Sequence, residues 1–165
     1  EDQAGRAEAG RFVTRARVLA MPEVVGVEPE LAEEIAERSA AGRALLLIEP
    51  AATPLQIVTE ITGYVRRLQA DACQLETDDL FALAALLGDQ YVAAFRWQWA
   101  KVCGPAGGEA FYGVLSPEHA LAITPFWWVS HCLQGGEPAG FLHNFQRVAA
   151  GDLPPARPGQ VLGFH

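Results

Sequence analysis

Apolar residues repeat at helical spacing after Thr53, with steps of three or four positions from Leu55 through Val58, Ile61, Val65 and Leu68. Thr53 precedes Pro54, and Gln56 follows three positions after the threonine. This is the pattern of a capping box with proline in the first helical position. The segment is therefore predicted to form a helix that ends near Ala70.

A second stretch, residues 80–87, is apolar on every side of a helix and reads LFALAALL. Thr77 is its predicted N-cap, and Asp78 and Asp79 occupy the first turn, where carboxylates interact favourably with the helix dipole. A helix without a polar face is expected to be buried on more than one side. We expect this helix to be central and to continue past Gly88 to Phe95.

Weaker patterns predict the remaining helices. They are a short helix at about residues 7–20, an amphipathic helix from Pro29 that ends before Gly42, a helix from Pro125 stopped by Gly135 and Gly136, and a short element in residues 141–151. Residues 21–29, MPEVVGVEP, contain proline and glycine and are predicted to interrupt the chain. Residues 43–49, RALLLIE, fit either a buried strand or the tail of a helix.

Residues 96–124 have the pattern of a sheet. Residues 96–103 fit a strand with Trp97, Trp99, Lys101 and Cys103 on one face and Gln98, Ala100 and Val102 on the other. GPAGGE and SPEH fit two turns, and EAFYGVL and ALAIT fit two further strands. We predict an α+β fold in one domain, residues 1–165, with a three-stranded antiparallel meander packed against helices that precede and follow it. Residues 1–21 are expected to fray, and the proline-rich residues 152–165 to run extended over the surface.

The order LLGDQYV, WQWAKV, YGVLSP and PFWWV within residues 80–136 resembles a family of small uncharacterised bacterial α+β domains. The resemblance implies a bacterial origin and an α+β fold. It also implies, for some members, a role as accessory or immunity partners of secreted toxins. It implies no catalytic residue.

The net charge of -8 argues against a nucleic-acid partner, because phosphate binding requires a basic surface. No apolar run approaches the length that spans a bilayer, so we expect no membrane insertion. Three widely spaced cysteines without a disulfide pattern fit a reducing compartment, so we expect a cytoplasmic location, or a periplasmic one if a signal peptide precedes Glu1. Acidic residues concentrate at the predicted helix after Pro29. These residues are Glu28, Glu30, Glu33, Glu34 and Glu37. They predict a contact surface for a basic protein, and the alternative is an ordinary solvated helix face.

Histidine and cysteine are spaced without a metal-binding motif, so no metal and no cofactor are predicted. Cys132 follows His131, but neighbours in a helix point in different directions. Cys103 with His119 or His143 is the other pairing for a thiol nucleophile. Buried, unreactive cysteine is the commoner state, and we predict no catalytic residue.

Four tryptophans lie between residues 97 and 128, which predicts a packed core between sheet and helices. Trp127 and Trp128 are consecutive, so in a helix their side chains diverge by about 100° and one of them is expected at the surface, flanked by His131 and Arg96.

We therefore predict a non-catalytic module that binds a basic protein through the glutamates and Trp127 or Trp128. The alternative is a small-molecule or hydrolytic site between the hairpin and the Pro125 helix, lined by Trp97, Trp99, Cys103, His131 and His143. A homo-oligomer formed through the third strand or the C-terminal segment is a further alternative.

Overall fold

The computed structural model describes residues 21–165, apart from the side chain of Ala106. The helix predicted at about residues 7–20, and nearly all of the segment predicted to fray, lie outside the described residues. The helices are α1 (Pro29–Leu45), α2 (Pro54–Ala70), α3 (Thr77–Phe95), α4 (Pro125–Leu133) and α5 (Phe141–Ala150). The strands are β1 (Glu23–Gly26), β2 (Gln98–Cys103), β3 (Ala110–Leu115), β4 (Leu121–Ile123) and β5 (Leu162–Gly163).

The α+β class is confirmed, but the sheet is larger than predicted. Its order is β1-β2-β3-β4-β5, with β2, β3 and β4 forming the expected antiparallel meander. β1 pairs antiparallel with β2, and β5 pairs parallel with β4. The prediction of three strands is therefore corrected to a five-stranded mixed sheet. β1 was missed because Pro22 and Pro29 flank the apolar residues of the segment instead of interrupting them.

Helix α1 continues through Gly42 to Leu45, so the prediction that it ends before this glycine is wrong. Gly42 is buried against α3, and a Cβ atom built on it would lie 2.6 Å from the carbonyl oxygen of Ala82. The glycine therefore allows two helices to approach closely. Of the two alternatives left open for residues 43–49, the helix tail is correct for the first part, and a turn with Leu47 at φ 53° follows it.

Helix α2 begins with the predicted capping box: Gln56 N–H donates to Thr53 Oγ1 at 3.3 Å, and Thr53 N–H donates to Gln56 Oε1 at 2.8 Å. Helix α3 is buried as expected, with every residue of 82–88 inaccessible to solvent or nearly so. Its N-cap is Glu76, not the predicted Thr77. Helices α1, α2 and α4 and strands β2 and β3 all contact α3.

The C-terminal segment does not simply cross the surface, and that prediction is corrected. Phe164 is buried, and its N–H donates to the carbonyl oxygen of Ala122 at 2.9 Å. Its own carbonyl oxygen accepts from Asn144 Nδ2 at 3.1 Å. Because an apolar ring and both main-chain polar groups find partners, the segment completes the core beside β4.

The opposite face of the sheet holds a second, smaller apolar cluster. Ala100, Val102, Leu115 and Ala122 form it, and Val24 and Val161 pack against it. The sheet therefore buries residues on both faces. Within the described part of the chain, no helix has both the length and the apolar character needed to span a bilayer.

We expect Gly88→Ala to destabilise the protein by about 1–3 kcal/mol, because the added methyl group would overlap the six-membered ring of Trp99. Urea denaturation measures the change. Gly63→Ala in α2 is the matched control. Its Cβ atom would make an ordinary 3.5 Å contact with Arg67, so helix propensity should raise stability by up to about 1 kcal/mol. Equal effects of the two substitutions would show that Trp99 moves aside freely.

Candidate functional site

The predicted acidic surface is present on and just before α1. All five glutamates are exposed: Glu28, Glu30, Glu33, Glu34 and Glu37. Glu34 also pairs with Arg38, one helical turn later, at 2.8 Å. The arrangement presents negative charge to solvent along the first turns of the helix.

The two consecutive tryptophans diverge as predicted. Trp128 is 6% exposed and meets the ring of Phe141 edge-on at 4.8 Å between centroids. Trp127 is 55% exposed, and its ring stacks on that of His131 at 4.7 Å with an angle of 10°. The ring of Trp127 also lies 5.3 Å from that of His165. Among the described ring contacts of Trp127, the predicted neighbour His131 is present and Arg96 is not. Trp128 therefore belongs to the core, while more than half of Trp127 is open to solvent.

An open groove of about 590 Å³ lies where the predicted alternative site was expected, between the hairpin and the start of α4. Its walls are mostly aromatic: Phe111, Tyr112, Thr124, Phe126, Trp127 and His165. Phe111 and Tyr112 are each 40% exposed. We call these six residues the aromatic groove.

The residues predicted to line this site are not part of the aromatic groove. Trp97 is buried against Tyr91, and Trp99 packs on Phe126 from within the protein while its Nε1 donates to Asp89 at 2.9 Å. Cys103 is half-buried at the end of β2. His143 is exposed on α5, and His131 lies behind Trp127. The groove lies between the hairpin and α4, as expected for the alternative site, but the residues predicted to line that site do not line the groove.

Two side-chain contacts connect the acidic helix with the aromatic groove. The guanidinium of Arg38 lies 5.0 Å from the ring centroid of Phe81. Phe81 meets Phe126 edge-on at 5.6 Å, and Phe126 lines the groove. A chain of side-chain contacts therefore leads from α1 to one wall of the groove.

His165 closes one end of the aromatic groove. Its Nε2 accepts from the main-chain N–H of Thr124 at 3.2 Å and lies 2.9 Å from Thr124 Oγ1. Its ring packs on Trp127 and Trp128, and this desolvation lowers the pKa of His165. The neutral ring suits the hydrogen bond, because protonation of Nε2 would remove the acceptor.

The surroundings of Cys132 do not favour a reactive thiol. Cys132 is buried, and desolvation together with the charge of Glu137 raises the pKa of its thiol to about 11. The thiolate needed for nucleophilic attack is therefore disfavoured. Among residues 21–165, no group of three or more His, Cys, Asp or Glu side chains is placed to hold a metal ion.

Comparisons of the chain with protein-family models, with curated proteins and with solved structures find no match. The resemblance of residues 80–136 to small bacterial domains therefore stays a prediction. The interpretation of the site depends on its own geometry.

We expect Trp128→Ala to lower the free energy of unfolding by about 3–5 kcal/mol, as for other buried aromatic side chains. Trp127→Ala removes a mostly exposed ring and should cost less than about 1 kcal/mol. Urea denaturation of both variants measures the difference. Similar losses would mean that Trp127 is part of the core and is not a contact residue.

Thiol alkylation should distinguish the cysteines in the folded protein. Exposed Cys73 is expected to react with iodoacetamide at pH 8 at least a hundred times faster than Cys132, because Cys132 is buried and its pKa is raised. Peptide mass spectrometry over time gives both rates, and the same reaction in 6 M guanidinium serves as the control. Fast labelling of Cys132 in the folded state would contradict its inert role.

Proposed function

We propose that the protein is a non-catalytic module that binds a basic protein through α1 and the aromatic groove. The observation that carries the proposal is the chain of contacts from Arg38 through Phe81 to Phe126, which connects α1 with a wall of the groove. Exposed aromatic residues supply the contacts that hold a complex together. Acidic side chains beside them attract and orient a partner of opposite charge.

Trp127 is the proposed anchor of the complex. More than half of its surface is open to solvent, while one side of its ring is held by His131. A ring that is already fixed loses little conformational freedom when a partner covers it. Tyr112 and Phe111 extend the apolar contact area across the groove.

The catalytic alternative has less support in the groove. Thr124 and His165 form its only hydroxyl–imidazole pair among the lining residues, and Nε2 of the imidazole also accepts the main-chain N–H of Thr124. The lone pair that a general base needs is thus already engaged. The resemblance of residues 80–136 implies, for some members, a role as accessory or immunity partners of secreted toxins. Together with the acidic residues of α1, this favours neutralisation of a basic toxin or effector, which is consistent with a surface that binds without chemistry.

A peptide-display selection tests the proposal with a random library in place of the natural partner. Randomised 12-residue peptides are selected on the wild-type protein, and the affinities of enriched peptides are measured by fluorescence anisotropy. We expect enriched peptides to be rich in Lys and Arg. Trp127→Ala should lower the affinity for these peptides at least tenfold, since truncating an anchor of this kind costs about 2 kcal/mol or more of binding free energy.

The glutamates are tested by the combined substitution Glu30→Gln, Glu33→Gln and Glu37→Gln. It should slow association, and raising the salt concentration should have the same effect on the wild-type protein. Leu47→Ala is the matched control for the tryptophan, because Leu47 is 87% exposed and lies outside the groove. Glu60→Gln, exposed on α2, is the control for charge. Peptides that bind the Trp127 and control variants equally well, or no enrichment at all, would overturn the proposal.

A further inference from the structure

The aromatic groove borders a strand edge. β3 pairs along its whole length with β2, from Ala110 opposite Cys103 to Leu115 opposite Gln98. Its other edge pairs with β4 only at Val114 and Leu115. Among the residues that the structure describes, no strand pairs with residues 110–113 on that side.

β4 leaves β3 for a local chemical reason. Val114 lies opposite Ile123, so two further steps of the same register would bring Pro125 opposite Tyr112. Proline has no N–H to donate to a neighbouring strand, and Pro125 is the first residue of α4. The chain turns away, and the space that opens between β3 and α4 is the aromatic groove.

The direction of the main-chain groups along this edge follows from one hydrogen bond. The N–H of Ser116 donates to the carbonyl oxygen of Leu121 at 2.9 Å, so this N–H points towards β4. This direction alternates from residue to residue in a strand. Tyr112 and Ala110 therefore present their N–H and C=O groups on the groove side, while those of Phe111 point towards β2.

We propose that the bound partner segment is extended and adds to β3 as a strand along residues 110–113. This inference rests on the proposed function and specifies how the partner binds. The edge is about 13 Å long at about 3.3 Å per residue, enough for about four partner residues. Main-chain hydrogen bonds to Ala110 and Tyr112 would hold the segment, as in other complexes formed by strand addition.

The side chains beside the edge determine the chemistry of the occupant. Phe111 and Tyr112 are neighbours in β3, so their side chains point to opposite faces of the sheet, and both line the groove. Alternate residues of an added strand would meet one ring or the other. The net charge of -8 favours a basic segment over a neutral or acidic one.

Backbone methylation of a peptide enriched on the wild-type protein tests the mode of binding. N-methyl groups are placed at successive positions of the peptide, one at a time, and affinity is measured by fluorescence anisotropy. We expect losses of at least tenfold at alternate positions and little change between them, because only every second N–H of an added strand points towards β3. Uniform effects, or none, would overturn strand addition.

The protein side of the contact is tested by Ala110→Pro, which removes one N–H at the first residue of β3, where proline is tolerated. The expected result is an affinity at least tenfold lower, whereas Ala110→Ser, which keeps the N–H, should bind like wild type. Amide exchange followed by NMR adds a measurement on the unmodified protein. Bound peptide should slow exchange at Ala110 and Tyr112.

The outcomes separate this inference from the proposed function. In one outcome, the affinity of a peptide falls with Trp127→Ala but not with Ala110→Pro, and the peptide leaves amide exchange at Ala110 and Tyr112 unchanged. This result would overturn strand addition and leave the binding function in place. Failure to enrich any peptide would overturn both. Concentration-dependent dimerisation that protects the same amides without peptide would show a second copy of the chain on the edge, and would overturn the assignment to a basic partner.

Discussion

Helix α3 lies beneath three other helices and beside the sheet, and its residues 82–88 are all buried. A helix in that position requires neighbours on every side, because any face left open would expose apolar area at about 25 cal/mol per Å². Small residues make the arrangement fit. Gly42 of α1 packs closely against the main chain of Ala82, and the ring of Trp99 from β2 packs closely against Gly88. The helices and the strands are therefore placed by their fit to one apolar helix.

Polar groups inside the core fix how the later segments join this helix. The hydroxyl of Tyr91 on α3 is hydrogen-bonded to Asn144 Oδ1 on α5, and Asn144 Nδ2 donates to the carbonyl oxygen of Phe164. Desolvation raises the pKa of Tyr91 far above its usual range, so the phenol stays a donor. Among the described residues, no buried side-chain nitrogen or oxygen lacks a partner. The network brings the C-terminal segment to a single position beside β4, since a shifted register would leave these groups unpaired.

The exposed aromatic surface is a consequence of the same packing. Trp99, seated on Gly88, supports Phe126 from inside at 5.6 Å, and Phe81 of α3 supports it from the side. Phe126 in turn fixes the start of α4, where Trp127 points outward. The groove thus has one wall, at Phe126, that packs against the core, and an open edge along β3. Such a combination fits the proposed binding function, because a site that is already formed loses little conformational freedom on binding.

Local patterns were sufficient to predict the features that depend on neighbours in the chain. The capping box of α2, the burial of α3, the three meander strands and the divergence of Trp127 from Trp128 all follow from periodicity and from a few residues with restricted conformations. Local patterns gave a wrong prediction where the role of a residue depends on a contact with a residue far away in the chain. Gly42 is a contact point between helices and not a helix end, because Ala82 lies against it.

The candidate site was determined partly by sequence and mainly by tertiary structure. The sequence alone determined that Trp127 or Trp128 would be exposed, that the charge at α1 would be negative, and that Pro125 would begin a helix. Only the fold decided that Phe111, Tyr112 and His165 meet Trp127 in one groove, and that Trp97 and Trp99 do not. The reason is physical: the groove exists because β4 ends early and the C-terminal segment returns to it. Pro125 explains the first of these locally, but the return of the C-terminal segment depends on pairing between residues far apart in the chain, which local periodicity does not contain.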